Sequence, residues 1–203
     1  LYNINVANTY GSGKQATALS AHNSHQGYYG CSMTSYQART SLLDTLLANS
    51  GYQYYSNCYI EGAVDYIYGG ASAWFGECIL ASNGGGAITA SSRDSTTDAS
   101  YYVIDSSDVV AANSSLDLTE KVYLGRPWRE YARVVFQRSS LSDIINPAGW
   151  TTLADPAEPI FEEYDNTGAG SDTSQRVTET TLTSMIQLST VIPDYGDWID
   201  ETY

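Results

Sequence analysis

The feature that most constrains the fold is a repeat. Three cysteines, Cys31, Cys58 and Cys78, each lie three positions after an aromatic residue: Tyr28, Tyr55 and Phe75. The step from Cys58 to Cys78 is 20 residues, and that from Cys31 to Cys58 is 27. Gln15 and Gln37 are 22 apart, and Asp44 and Asp65 are 21 apart. Most steps therefore span 20 to 22 residues, and one is longer by about six. The long step contains Ala38–Leu43, "ARTSLL". A period near 20, made of short β-runs with Gly and Asn at the turns, marks a β-solenoid. In such a fold each coil buries its inward residues against the next. Residues one period apart then stack in columns at strand spacing, roughly 4.8 Å. The aromatic and cysteine columns are expected inside, with Cys acting as a small buried hydrophobe.

The chain has 203 residues, enough for one domain with a substantial core. Residues 1–150 carry the predicted coils. From 151 the pattern fades into "LADPAEPIFEEYDNTGAGSD", which is rich in Pro and Gly. Residues 151–203 are expected to be loops and a C-terminal cover. Within them Glu179–Val191 reads as a short helix over a coil end, stopped before Pro193. The opening "LYNINVANTY" already alternates like a strand, so the chain reads as starting inside a fold. No apolar run approaches the ~20 residues that span a membrane, and no signal peptide is visible.

Charge narrows the partners. Nine Lys and Arg stand against 23 Asp and Glu, a net charge of −14. Such a chain repels nucleic acid and anionic lipid. Its 18 Tyr and 4 Trp offer flat faces with polar rims, as sugar-binding surfaces do. β-Rich chains carry many Tyr for other reasons, so composition alone does not decide. An odd cysteine count without C-x-x-C or a Cys/His cluster argues against a disulfide framework or a zinc site. His22 and His25 sit in a polar segment and read as solvated surface. There is no G-x-S-x-G elbow, and "YGSGKQ" lacks two defining residues of a phosphate loop. Low Lys with abundant Ser and Thr suits a secreted protein.

What remains for chemistry is two pairs, each one period apart: the carboxylates Asp44 and Asp65, and the amides Gln15 and Gln37. Asp65 lies in "EGAVDYIYGG", an apolar run that partly desolvates it. Arg126 in "YLGRPW" could hold it ionised through a bidentate contact. Two carboxylates in unlike surroundings can divide the work of acid and base. Two amides can donate to a developing oxyanion. This pattern suggests acyl transfer without Ser or His. Buried Asp and Gln in solenoids also serve as turn or ladder residues, and spacing alone leaves both readings open.

"YNINVANTYGSGKQATAL", "GYYGC", "YIEGAVDYIYGGASAWF", "YLGRPWREYARVVF", "PAGW" and "FEEYDNTGAG" together resemble the pectin methylesterases, of the fungal kind. The resemblance runs from Leu1 to about Gly170. It implies an all-β, right-handed parallel β-helix that removes methyl esters from galacturonate units of pectin. On that resemblance Asp65 is the nucleophile and Asp44 the general acid and base. Gln15 and Gln37 are the oxyanion donors, and Arg126 orients Asp65. Trp128, Trp150 and Tyr68 line the sugar cleft. No cofactor or metal is implied. The implied partner is pectin (homogalacturonan), with no nucleic acid and no membrane, and the implied protein is a secreted monomer when full length.

Two departures stand out. The family's motif joins the second Gln directly to the acid in "YQDTL", whereas Gln37 and Asp44 here are separated by "ARTSLL". Family members also carry coils before the point that matches Leu1, which reads as truncation. The extra residues either loop out, slip the strand and displace Asp44, or reflect a gene-model or splicing error, the true sequence reading "YQDTL". The competing function is an inactive pectin-binding β-helix crippled by residues 38–43. A lyase or hydrolase on the same solenoid is expected to need clustered acidic ligands, and no such run stands out.

Overall fold

The structure is a computed structural model, and its described residues are 1–10, 17–35, 45–178 and 181–203. Short strands follow one another in a three-beat order. The first coil holds β1 (Asn5–Asn8), β2 (Leu19–Ala21) and β3 (Gln26–Tyr29). The second holds β4 (Ser32–Ser35), β5 (Leu46–Ala48) and β6 (Tyr52–Ser56). The third holds β7 (Tyr59–Gly62), β8 (Ile67–Gly69) and β9 (Ser72–Gly76). The fourth holds β10 (Ile79–Ser82), β11 (Gly86–Ser91) and β12 (Tyr102–Asp105). The fifth holds β13 (Asp108–Ala111), β14 (Val122–Pro127) and β15 (Arg133–Gln137). The last holds β16 (Ser140–Leu141) and β17 (Ile160–Tyr164), with Ile145 and Trp150 bridged to β14 between them. Every third strand pairs in parallel. The first sheet is β1-β4-β7-β10-β13-β16, the second β2-β5-β8-β11-β14, and the third β3-β6-β9-β12-β15-β17. The core runs down the axis between the sheets.

The expected columns form. Tyr28 stacks on Tyr55 with centroids 4.8 Å apart, and Tyr55 on Phe75 at 4.6 Å. Cys31, Cys58 and Cys78 are free and buried. They do more than fill space. Each thiol donates to the carbonyl two residues earlier: Tyr29 at 3.5 Å, Ser56 at 3.4 Å and Gly76 at 3.3 Å. In the next two coils Ser107 and Ser139 make the same contact, to Asp105 and Gln137, each at 2.9 Å. The column therefore continues after the cysteines stop.

The period is less regular than the sequence suggests. Along the third sheet Tyr28 pairs with Tyr55, Tyr55 with Phe75, Phe75 with Ile104 and Ile104 with Phe136, steps of 27, 20, 29 and 32 residues. Pairing fixes the strands, while the connections bulge outward at small entropic cost. The coils also run past residue 150. Strand β17 places Phe161 and Glu163 inward, and that buried charge hides the strand from a hydrophobic pattern. Arg176 neutralises Glu163 through two hydrogen bonds, at 2.7 and 3.0 Å.

The C-terminal helix is shorter and elsewhere than expected. It is α1 (Leu188–Val191), and it packs on β9 rather than across a coil end. The outer face of the third sheet is apolar, with Trp74, Val103 and Val135, and a parallel sheet is buried on both faces. Val191, Ile192 and Ile199 cover it. The segment then runs to Tyr203, whose hydroxyl donates to Asn3 at 2.6 Å. His22 and His25 are exposed, and His25 pairs with Asp194 at 2.7 Å.

Two outcomes follow from this packing. Phe75→Ala is expected to cost about 3–5 kcal/mol, because a rigid stack cannot collapse onto the cavity; denaturant melts measure it. On β17, Glu162 is half-buried near Arg133 and Tyr101, and its Oε2 has no partner among the described residues. Burial pushes its carboxyl above the ordinary 4.5, and Arg133 offsets this only in part. The folded state then holds the proton more tightly than the unfolded one. The resulting stability is complete below pH 4.5 and is lost as pH rises through the raised value. Glu162→Gln is expected to raise the melting temperature at neutral pH and to shrink the advantage of the variant toward acid.

Candidate active site

The second sheet turns one row of side chains outward. Strand β5 alternates, with Leu46 and Ala48 buried and Leu47 half-buried. Register carries that row across the sheet from Leu47 to Tyr68, Ala90 and Arg126. Asp65 precedes β8 by two residues. Its backbone is left-handed, with φ of 50°, and its N–H donates to Ala87 at 2.6 Å. Asp is among the few side chains that enter this region readily. The turn leaves the carboxylate 12% exposed beside the outward row.

Arg126 reaches that carboxylate from β14, across the whole width of β11. Its Nε donates to Oδ1 at 2.8 Å and its Nη2 to Oδ2 at 2.7 Å. The residue it passes is Ala90, whose methyl group leaves the path open. Both partners are largely shielded from water, and the two-point contact fixes the plane of the Asp65 carboxyl group. A carboxylate held by one edge can present a lone pair to an electrophile.

Aromatic groups border the pair. Tyr68 and Trp128 lie with ring centres 5.9 Å apart, and Trp128 is 39% exposed. The Tyr68 hydroxyl meets Thr17 Oγ1 at 2.8 Å. Arg93 braces the loop after Trp128 by donating to the Tyr131 carbonyl at 2.9 Å. Trp150 is placed differently. It is paired with Gly125, on the inward side of β14, and stacks on Phe161 at 4.3 Å. Only 2% of it is exposed. The structure thus gathers Asp65, Arg126, Tyr68 and Trp128, and sets Trp150 in the core. Gln15, Gln37 and Asp44 lie outside the described residues. Among the described residues no three His, Cys, Asp or Glu side chains gather as a metal site would require.

The flanks of 36–44 are described. Ser35 Oγ and Thr45 Oγ1 lie 2.5 Å apart, so the chain leaves β4 and re-enters before β5 at one point. Thr45 also donates to Glu61 at 2.8 Å. Beyond it β5 is in register, with Leu46 opposite Ile67.

Comparison with known families matches residues 1–193 to Pectinesterase. The chain belongs to the pectinesterase family. It is 56% identical over 204 residues to a probable pectinesterase A of Aspergillus niger, covering all of this chain and 60% of that protein. Pectinesterase A of Emericella nidulans is 54% identical, with 61% of its length covered. This chain thus spans about three-fifths of the curated relatives it matches. The crystal structure of the Aspergillus niger pectin methylesterase in deglycosylated form superposes with a TM-score of 0.93 at 56% identity, covering 99% of this chain and 65% of that one. The carrot pectin methylesterase does so at 0.82 and 34% identity, over 90% of this chain and 60% of that one. The three parallel sheets are those of the right-handed parallel β-helix expected from the sequence.

Sequence reasoning missed Ala90 and Thr17. Ala90 could have been found, since it lies 22 residues after Tyr68, one coil on. Nothing in the spacing points to Thr17. If Ala90 sets the gap, Ala90→Leu should block the Arg126 fork. The expected result is a folded protein in which Asp65 has lost its bidentate partner, seen as a changed Arg126 Nε–H signal by NMR and a large loss of any activity that depends on Asp65.

Proposed function

We propose that the protein hydrolyses the methyl esters of galacturonate units in pectin, releasing methanol. The observation that carries this is the shielded Asp65–Arg126 fork beside Tyr68 and Trp128 on an open sheet face. Asp65 attacks the ester carbonyl carbon, and the carbonyl electrons move to oxygen. The amides of Gln15 and Gln37 donate to that oxyanion. Its collapse breaks the bond to the methoxy oxygen, which takes a proton from the Asp44 carboxyl and leaves as methanol. An anhydride now joins Asp65 to the sugar. Asp44, as carboxylate, removes a proton from water, and the hydroxide attacks the sugar acyl carbon. Asp65 departs as carboxylate, and the product is a free galacturonate. Arg126 holds Asp65 in plane throughout. Trp128 and Tyr68 offer faces to the sugar chain, while Trp150 supports the cleft from within.

Two observations favour activity despite residues 38–43. The ends of the segment meet at Ser35 and Thr45, so its length need not push β5 out of place. Leu46 and Ile67 pair at an offset of 21, the offset that also separates Asp44 from Asp65. The polymer lies in plant cell walls, so the working location is outside the cell.

Methanol release from highly methylated pectin tests the reading. Asp65→Asn should abolish it, by roughly 10³–10⁶ as for other nucleophiles. Arg126→Lys, which keeps charge but loses the fork, should cost about 100-fold through misplacement. Deleting residues 38–43 should change the rate less than tenfold. A protein that binds pectin without releasing methanol, and gains activity only on that deletion, would instead be the inactive homologue.

A further inference from the structure

A second polar groove lies where the third sheet turns into the first, away from the outward row of the second sheet. Its floor is Asp105, which accepts from Arg138 at 2.8 and 2.5 Å and from Gln137 at 3.0 Å. These contacts use up the carboxylate and hold the guanidinium still. What they leave over is the informative part. Trp74 is 6% exposed, and its indole N–H opens on the groove, where it donates to no atom among the described residues. The nitrogen faces the groove beside Gly76, where a Cβ would stand 3.2 Å from it. Glu77 opens on the same space, its carboxylate engaged among the described residues only by Asn57 at 3.4 Å. Tyr203, 42% exposed, supplies an aromatic wall. The cavity measures about 330 Å³, at the small end of ligand sites.

From this we infer that the groove is a second carbohydrate-binding site, taking one uncharged glycosyl unit such as a methyl-esterified galacturonate. The ligand class rests on the proposed function, while the site itself rests on its own geometry. A donor open to the groove, beside an open carboxylate and a fixed guanidinium, suits hydroxyl groups that both give and accept hydrogen bonds. The ring stacks against an aromatic face, as sugars do. Glu77 and Asp105 outnumber Arg138, so a free uronate is repelled. A bare cation finds too few ligands, since no third carboxylate gathers there among the described residues. A trimer too short to span the molecule would therefore bind at two places. On a long polymer, the groove would hold the protein to methylated regions while the cleft works elsewhere.

The test uses the four indole N–H signals of the protein carrying Asp65→Asn, which prevents ester loss during titration. Trp74→Phe assigns the Trp74 signal. Methyl-esterified trigalacturonate should shift that signal saturably at roughly millimolar concentration. The unesterified trimer should leave it in place. Gly76→Ala, which adds a methyl group against the indole nitrogen, should abolish the shift, and Glu77→Gln on the surface should weaken it at least threefold. No movement at tenfold higher concentration overturns the site, as does a shift that survives both variants. An equal shift with the unesterified trimer overturns the ligand class. Methanol release by the parent is measured in parallel. Release without a Trp74 shift removes only the second site, and a Trp74 shift without release removes only the proposed esterase.

Discussion

Everything in this fold depends on one tight corner, repeated at every coil. Between the third sheet and the first, a single residue takes the left-handed conformation. Asn3, Gly30, Asn57, Glu77, Ser106, Arg138 and Asp165 form the column, with φ between 49 and 58°. The first six each turn their N–H onto a carbonyl of the following coil. Asn57 reaches Gly76 at 3.0 Å, Glu77 reaches Asp105 at 3.1 Å, and Arg138 reaches Tyr164 at 2.8 Å. From Gly30 to Arg138 the next residue along, Cys or Ser, ties its side chain back to the carbonyl two before it. Left-handed backbone is costly for Glu, Ser and Arg, and neighbouring coils impose it by hydrogen bonding. With the corner fixed, register in all three sheets follows.

Register is what builds the site. Asp65 and Arg126 come from strands two apart in the second sheet, and no local motif joins them. They meet because Tyr68, Ala90 and Arg126 occupy one row, and because the middle member is small. A slip of one residue in β11 would turn that row over and put Thr89 or Ser91 in the path. The ladder of Tyr28, Tyr55 and Phe75 on the opposite side of the core resists such a slip, since the Tyr55 ring is held on both faces. Ser35 and Thr45, on either side of residues 36–44, meet through their hydroxyls. The hydroxyl contact closes the path before β5 begins.

The acidic balance takes its meaning from placement. Three carboxylates that turn inward or into the walls are each neutralised by a forked arginine: Asp65 by Arg126, Asp105 by Arg138 and Glu163 by Arg176. Few arginines are therefore left to offset the surface, which keeps its negative field. Free polygalacturonate should be repelled by that field, whereas methylated chain is not.

Sequence alone determined the architecture. Aromatic-x-x-Cys at a period near 20 requires stacked coils, because only stacking puts like residues in contact at strand spacing. It also singled out Asp65 and Arg126, whose motifs carry the family resemblance. Other features had no sequence signal. The left-handed column passes through Glu77, Ser106 and Arg138, which have no preference for it, so only neighbouring coils reveal it. The cysteine column vanished from view where Ser107 replaced Cys, although the hydrogen bond persists. Strand β17 was hidden by Glu163, whose partner Arg176 is distant from any periodic position. Trp128 and Trp150 read alike as cleft aromatics. Tertiary structure alone turned one outward beside Tyr68 and the other inward onto Phe161, because the side of the sheet a residue faces depends on register with its neighbours.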